Sequence, residues 1–330
     1  MKIIKLNYPP VGWPLSDQKD PYIRQTPGNS GIWGDYQFFV NTSIEECDYW
    51  VVFEQIDKTQ SCNCPHNNTI FITGEPPSLK KYNQKFLSQF SHIISCHKSI
   101  THPGLFKYIQ GHLWFVGKNY DELSSIKHIE KTKEISIITS NKIFSEGHKK
   151  RYEFALKLKE HFGNRIDLFG NGIRKFEDKW DVLAPYKYSV IIENYQYENW
   201  LTEKLFDCYL THTFPLYFGC SNISDYYNEN AYIKIDLEDI EGTIQNIEKI
   251  LSDKSHYEKS LSYLLESKDL TLNRYNLFPL IVQFIELKKL SPDDIKINIT
   301  INPEPLGCKK MLFDQWKLLK SFVSGVKKHE

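Results

Sequence analysis

Short apolar runs alternate with longer polar or amphipathic segments along the chain, and this alternation constrains the fold more than any other feature. The segments 47–56, 69–78 and 91–100 contain apolar runs rich in β-branched and aromatic residues, which predicts buried strands. The segment 78–90 between two of them is long enough for a crossover helix. Strands that alternate with helices in this way are typical of a parallel α/β sheet.

A second alternation follows a polar, charged stretch over 120–134, which predicts a linker. A helix is predicted over 146–163, because Phe154, Leu158 and Phe162 recur at intervals of four residues. Further strands are predicted over 135–140, 165–170, 188–194, 214–219 and 231–236, and a further helix over 202–212.

The two alternations indicate two doubly wound α/β domains in series. We predict an N-terminal domain over 1–125, a C-terminal domain over 126–305 and an amphipathic basic helix over 306–330. Because ligands bind at the carboxyl ends of parallel strands, the crevice between the two domains is the predicted site.

Composition limits the partners and the compartment. The 330 residues include 41 basic and 41 acidic side chains, whereas a general nucleic-acid binder usually carries a basic excess. The sequence has neither an apolar run as long as a membrane span nor the apolar stretch of a signal peptide at its N-terminus. The seven cysteines are odd in number and widely spread, which fits reduced thiols. We therefore expect a soluble cytoplasmic protein that binds no nucleic acid.

Two segments leave alternatives open. The final helix could pack on the protein, or it could lie weakly on the inner face of a membrane, since Trp316, Leu319 and Phe322 could share one face. The stretch "CNCPH", with Cys62 and Cys64, could suggest a metal knuckle. Its spacing is not that of a standard zinc site and no second ligand pair is evident, so we interpret it as a loop.

The residues around 202 suggest a binding site for a nucleoside diphosphate. Thr202 can cap the helix that begins at Glu203, and the free N–H groups of a helix start favour an anion such as phosphate. Lys204 adds a positive charge there, while the Glu203 carboxylate could accept hydrogen bonds from a ribose diol. The same residues could also be no more than good helix-start residues.

Residues 193–219 resemble the donor-binding signature of the family 10 glycosyltransferases, the α-1,3/1,4-fucosyltransferases. The positions that match the signature are Glu193, Asn194, Thr202, Glu203, Lys204, Pro215 and Gly219. The sequence departs from it at Trp200, where the family usually has Tyr, and at Leu201, where it usually has Val. Trp keeps a face for stacking on the donor but lacks the phenolic oxygen.

The resemblance extends to three further places. It implies that Ser140 and Asn141 follow a strand at the donor site and that Arg151 binds the donor phosphates. In the N-terminal half it is confined to the turn Thr73-Gly74-Glu75, where it implies that Glu75 is the catalytic base. Without the resemblance, Arg151 would be a solvated arginine at a helix start and Glu75 a turn carboxylate in water.

The next candidates for the base are Asp35 and Glu54. The remainder of the N-terminal half, including its first 60 residues, matches no signature.

The resemblance implies the GT-B type of fold, with two Rossmann-like domains facing a central crevice. It also implies an inverting, α-1,3-type transfer of fucose from GDP-fucose to a hydroxyl of an oligosaccharide or lipid-linked glycan, as in lipopolysaccharide or capsule. No "DxD" motif stands at a predicted strand end, so we expect no essential metal or other cofactor. Two alternatives are the same scaffold with another nucleotide-activated sugar, and an inactive protein that binds nucleotide sugars or glycans.

Overall fold

The computed structural model describes residues 1–10, 20–141 and 146–305. In this part of the chain, two parallel sheets and the helices around them form the framework. The predicted helix over 306–330 lies outside the described residues.

The first sheet has seven strands in the order β2-β3-β1-β4-β6-β7-β8. Only β2 runs antiparallel to its neighbour; the other pairs are parallel. The bounds of these strands are β1 Lys2–Asn7, β2 Ile32–Trp33, β3 Tyr36–Val40, β4 Tyr49–Phe53, β6 Thr69–Ile72, β7 His92–Ser95 and β8 Leu105–Lys107. The short helices α1 (Gln84–Leu87) and α2 (Tyr120–Ser125) belong to the same half.

Strand β4 shows why this sheet is buried on both faces. Tyr49 and Val51 enter one hydrophobic cluster, while Trp50 and Val52 enter another. Alternate residues of a strand point to opposite faces, so a continuous apolar run needs a core on each side.

The second sheet is entirely parallel, in the order β10-β9-β11-β12-β13. Its strands are β9 Lys133–Ile138, β10 Ile166–Phe169, β11 Tyr186–Tyr197, β12 Phe214–Cys220 and β13 Ile233–Lys234. Its helices are α3 Glu146–Phe162, α4 Lys179–Leu183, α5 Glu203–Leu210, α6 Ile240–Ser252 and α7 His256–Leu270. The strand order reverses between β9 and β11, and such a switch point opens a crevice at the carboxyl ends of the two strands.

The predicted linker over 120–134 is shorter than expected, because its beginning is helical. Asn119 accepts a hydrogen bond from the Glu122 N–H at 2.9 Å, and the Glu122 carboxylate accepts one from the Asn119 N–H at 2.7 Å. This reciprocal capping box stabilises α2 in a segment whose polarity alone indicates a loop.

The predicted helix over 78–90 is reduced to the single turn of α1. The side chains of Lys80 and Tyr82 both bind the Glu54 carboxylate, which holds the preceding residues in a loop. Asn83 then caps α1 by accepting from the Lys85 N–H at 2.8 Å.

The C-terminal part of the predicted second domain returns to the N-terminal half. Helix α8 (Leu277–Leu287) places Phe278 edge-on against Phe38, with ring centroids 4.9 Å apart. Strand β14 (Lys296–Ile301) then pairs antiparallel with β5 (Gln60–Pro65). Within the predicted C-terminal domain over 126–305, this segment thus contacts the N-terminal half: α8 packs on the first sheet, and β14 covers an edge of β5.

The same pairing corrects the interpretation of "CNCPH" as a loop. Cys62 and Cys64 lie in β5 with their side chains buried, whereas His66 is exposed. Within the described ranges, no three or more His, Cys, Asp or Glu side chains are grouped so that they could hold a metal ion. None of the described helices is long and apolar enough to cross a membrane.

Candidate active site

Glu193, near the end of β11, organises the start of helix α5. Its side chain is 1% exposed, and its two oxygens accept hydrogen bonds from the Thr202 hydroxyl at 2.6 Å and from Lys204 Nζ at 2.9 Å. A buried carboxylate is costly unless it is paired in this way. Glu193 therefore lies beneath the site and fixes the position of Lys204.

Gly219 makes room for Glu193. A β-carbon at position 219 would lie 2.5 Å from Glu193 Cγ, closer than two carbon atoms can pack. The presence of glycine at this signature position therefore has a steric explanation: without a side chain there, the buried Glu193 carboxylate can lie against β12.

The start of α5 brings opposite charges together at the mouth of the site. Thr202 caps the helix by accepting from the Lys204 N–H at 3.4 Å, and the Glu203 carboxylate lies 3.4 Å from Lys204 Nζ. Burial alone would raise the pKa of Glu203, but the ammonium groups of Lys204 and Lys179 outweigh it and hold that pKa below its usual range. Burial would lower the pKa of Lys204, and the carboxylates of Glu193 and Glu203 raise it instead. Both groups are therefore charged near neutral pH.

Arg151, on α3, lies beside these residues. The residue is 8% exposed, and one terminal nitrogen donates to the Asn194 side-chain oxygen at 2.7 Å. Among the described residues, its buried Nε has no hydrogen-bond partner. Burial lowers the pKa of Arg151, and the charges of Glu193 and Glu203 oppose that effect. A guanidinium with an unpaired donor is suited to bind an anion.

A cavity of about 240 Å³ joins these groups at the switch point of the second sheet. Ser140, Arg151, Lys179, Glu203 and Lys204 contribute to its lining. Ligand pockets usually measure about 300–1,000 Å³. The cavity would therefore hold part of a nucleotide, with the remainder in the crevice.

The turn after β9 is shaped by the facing loop. Gly170 has φ +133°, and a β-carbon there would overlap the carbonyl oxygen of Thr139. This close approach lets the Asn141 N–H donate to the Asn171 carbonyl at 3.1 Å. Ser140 faces the cavity, whereas the Asn141 side chain lies against Gly172 instead.

The ring of Trp200 is covered, whereas the sequence predicts a ring face that can stack on the donor. It is 3% exposed, and its ring packs edge-on against His112 with centroids 5.6 Å apart. His112 in turn packs edge-on against Phe53 of the first sheet at 5.5 Å. The indole thus lies between the two halves of the molecule, covered by aromatic neighbours.

Glu75 follows β6 and faces the crevice from the other half. Its carbonyl oxygen lies 2.8 Å from His97 Nε2, and its N–H donates to the Tyr82 hydroxyl at 3.3 Å. Both contacts hold the backbone, so the carboxylate is left open to the crevice. Water reaches the side chain, although protein from both halves surrounds it.

The surroundings of Glu75 raise the pKa of its carboxyl group to about 7. Burial is the largest cause and the negative charge of Glu54 is the next; Lys204 opposes them from across the crevice. Lys204 thus acts electrostatically on Glu75, although the two residues belong to opposite halves of the chain.

Glu54 has a different task from the one considered for it as a base. Its carboxylate accepts from the Gly74 N–H at 2.6 Å, from Lys80 Nζ at 2.6 Å and from the Tyr82 hydroxyl. These three donors occupy Glu54, which thereby holds the turn that carries Glu75. Asp35 precedes β3, whereas Glu75 follows β6. Because these strands are parallel, the two residues lie at opposite ends of the strands.

Two charged residues of the site were not singled out from the sequence. Lys179, on α4, binds the buried Asp207 at 2.6 Å, and Asp207 also accepts from the Phe115 N–H at 2.6 Å and the Val116 N–H at 3.0 Å. Asp207 follows Glu203 by one helical turn, a spacing that could have drawn attention to it. Nothing local to Lys179 indicates its role, because its partners come from α5.

A family model matches the segment that contains Arg151, Glu203 and Lys204. The model described as glycosyltransferase family 10 (fucosyltransferase), C-terminal, matches residues 128–272. The match confirms the predicted likeness to that family in the C-terminal half, and it ends before α8 returns to the first sheet. The matched region is therefore similar to the C-terminal region of those glycosyltransferases.

A curated relative matches a shorter segment. An α-(1,3)-fucosyltransferase of Helicobacter pylori is 28% identical over 82 residues, which cover 24% of this chain and 17% of that protein.

Two solved structures of α1,3-fucosyltransferases are similar to this chain, and the first of them supports the fold. A crystal structure of an α1,3-fucosyltransferase aligns with a TM-score of 0.52 and 16% identity, over 93% of this chain and 92% of that chain. Another, with GDP-fucose, has a TM-score of 0.47 and 15% identity, over 83% of this chain and 92% of that chain. The first alignment, together with the two parallel sheets, confirms the GT-B type of fold.

Proposed function

We propose that this chain, whose residues 128–272 are those of a family 10 glycosyltransferase, transfers fucose from GDP-fucose to a hydroxyl of an acceptor glycan. The observation that carries the proposal is the cationic group of Arg151 and Lys204 in the cavity at the switch point, together with the effect of the Lys204 charge on the pKa of Glu75 in the other half. Fucose as the transferred sugar rests on the family match and on the name of the curated relative.

In the proposed reaction, Glu75 takes the proton from the acceptor hydroxyl while the oxygen of that hydroxyl attacks the anomeric carbon of the donor. The bond from that carbon to the diphosphate breaks on the opposite face, so the sugar is transferred with inversion. A carboxylate with a pKa of about 7 is well matched to general base catalysis near neutral pH.

Arg151, Lys204 and the start of α5 stabilise the leaving diphosphate. Negative charge grows on the diphosphate in the transition state, and fixed positive groups at that place lower the barrier. Glu203 would accept hydrogen bonds from the ribose, and Ser140 would line the diphosphate pocket. With these charges in place, we propose that no metal ion and no other cofactor is needed.

A second candidate is the same reaction with a different nucleotide-activated sugar. The observation that favours it is Trp200, which stands where the family usually has Tyr and whose ring is covered by His112. The acceptor in either case would be an oligosaccharide or a lipid-linked glycan. A lipid-linked acceptor would place the reaction at the inner face of a membrane.

A panel of nucleotide sugars offered to the purified protein tests the proposal. The release of nucleoside diphosphate would be measured without an acceptor. An enzyme should hydrolyse its donor slowly under these conditions, whereas a binding protein should not. We expect GDP-fucose to be hydrolysed fastest. Hydrolysis of another donor alone would favour the second candidate, and binding of a donor without hydrolysis would point to an inactive binding protein.

A further inference from the structure

Two tyrosines at the mouth of the crevice lie outside the donor site and the base. Tyr195 and Tyr197 are two residues apart near the end of β11, so their side chains point to the same side of the strand. Their rings are nearly parallel, with an interplanar angle of 26° and centroids 5.7 Å apart. Tyr195 is 37% exposed, so a face of this aromatic pair is open to solvent.

The backbone below the pair is fixed. The pairing of β11 with β12 is interrupted after Ile192 and resumes where Tyr197 pairs with Cys220. The Tyr197 carbonyl also accepts from the Ser221 N–H at 3.2 Å. Irregularities of this kind often re-aim side chains beside active sites, and here the strand end presents two tyrosines.

Neighbouring residues link the pair to the donor residues and to the base. On one side, Asn194 is the neighbour of Tyr195 in sequence and binds Arg151 at 2.7 Å. On the other side, the Tyr197 hydroxyl accepts from the Lys98 N–H at 3.3 Å. His97, the residue before Lys98, holds the Glu75 carbonyl at 2.8 Å.

The charges around the pair cancel. Lys98 Nζ lies 5.6 Å from the centroid of the Tyr197 ring and 2.9 Å from the Glu198 carboxylate. Both side chains are more than half exposed, so their hydrogen-bonding groups remain accessible at the edge of the aromatic surface. A neutral edge of donors and acceptors favours an uncharged polar ligand over an anion or a cation.

We propose that Tyr195 and Tyr197 form the acceptor subsite, which binds the face of an uncharged pyranose. One face of a pyranose presents C–H groups of partial positive charge, which suit the negative face of an aromatic ring. Hydroxyls at the rim of that sugar would meet Lys98 and Glu198, and the sugar would lie beside Glu75. The proposal rests on the proposed function, because it assigns the acceptor of that same reaction.

Saturation-transfer NMR of the GDP-bound full chain tests this subsite. The probes are the methyl β-glycosides of galactose, glucose and N-acetylglucosamine, together with disaccharides built from them. We expect magnetisation to pass to the ring C–H protons of at least one probe. In Tyr195→Ala the affinity for that probe should fall about three- to tenfold, while Tyr195→Phe, which keeps the ring, should bind as the wild type does.

Lys98→Ala tests whether the tyrosines bind sugar or only help to join the two halves of the molecule. It removes the ion pair with Glu198 and leaves both tyrosines in place. Because Lys98→Ala keeps the aromatic surface, a smaller loss of sugar binding in Lys98→Ala than in Tyr195→Ala supports the proposal. Equal binding by Tyr195→Ala and wild type, or no binding of any probe by the wild type, overturns it.

Donor hydrolysis and GDP affinity, measured on the same variants without sugar, should stay unchanged. If they do, a failure of the subsite leaves the proposed function intact. If the wild type itself neither binds GDP nor hydrolyses GDP-fucose, the proposed function has failed instead.

Discussion

The two sides of the crevice hold their charged residues in opposite ways. On the C-terminal side, Lys204 is bound by the buried Glu193 and lies beside Glu203, so its position is fixed before any ligand arrives. On the N-terminal side, the contacts with described residues hold the backbone of Glu75, and its side chain is exposed. The difference fits two tasks: a fixed charge stabilises a leaving group without reorganising, whereas a base must be free to take up a proton.

The largest effect is expected where the open side is changed. Glu75→Gln keeps the shape of the side chain but cannot accept the proton, so transfer should fall by about 10²–10⁴-fold. GDP affinity, measured by calorimetry, should be retained because the residue lies across the crevice from the donor residues. Near-normal transfer would exclude Glu75 as the base, and a loss of GDP binding as well would indicate a structural role for the turn.

Substitutions on the C-terminal side, where the charges are fixed, should lower the affinity for the donor. Arg151→Ala removes a charge-assisted contact worth about 1.5–3 kcal/mol, so the GDP affinity should fall by roughly ten- to a hundredfold. Lys204→Ala should do the same, and it should also lower the melting temperature because Glu193 is left buried without its partner.

Lys150→Ala is the matched control, since Lys150 neighbours Arg151 on α3 but pairs with the exposed Glu238 at 2.7 Å. GDP affinity that is unchanged in both Arg151→Ala and Lys204→Ala would remove the proposed donor site.

A smaller effect should come from Glu54, whose negative charge helps to raise the pKa of Glu75 to about 7. The base acts as the carboxylate, so transfer by the wild type should decline as the pH falls through about 7. Glu54→Gln removes the nearby negative charge and lowers the pKa of Glu75, so this decline should move to lower pH. A pH–rate profile of the two proteins measures the shift. A profile that does not move, or moves to higher pH, would contradict the assigned roles.

The smallest effect is expected from chelation. Since Arg151, Lys204 and the helix start supply the positive charge at the diphosphate, transfer should be unchanged after treatment with EDTA. A loss of transfer that added Mg²⁺ or Mn²⁺ restores would show that a metal takes part.

The two sides also differ in how far the sequence alone describes them. Thr202, Glu203 and Lys204 are contiguous at a helix start, and local rules for capping and charge place them correctly. The burial of Trp200 is a different matter, because the ring that covers it, His112, comes from the other half of the molecule. Contacts between distant segments leave no local signal.

Glu54 and α8 show the same limit. From the sequence, Glu54 is only another carboxylate after a strand; that it holds the Glu75 turn depends on Lys80 and Tyr82, more than twenty residues later. The strand–helix alternation predicts two sheets, yet it does not show that α8 returns to the first one or that β14 pairs with β5. Helix periodicity reveals an apolar face, but not the sheet that the face will cover.

The anomeric configuration of the product tests the central claim most directly, namely that Glu75 and the cationic group act from opposite faces of one sugar. Proton NMR of the product first formed from GDP-fucose, recorded before the free sugar can equilibrate, gives that configuration. A single displacement across the crevice predicts a configuration opposite to that in the donor. A product that retains the donor's configuration would contradict the account.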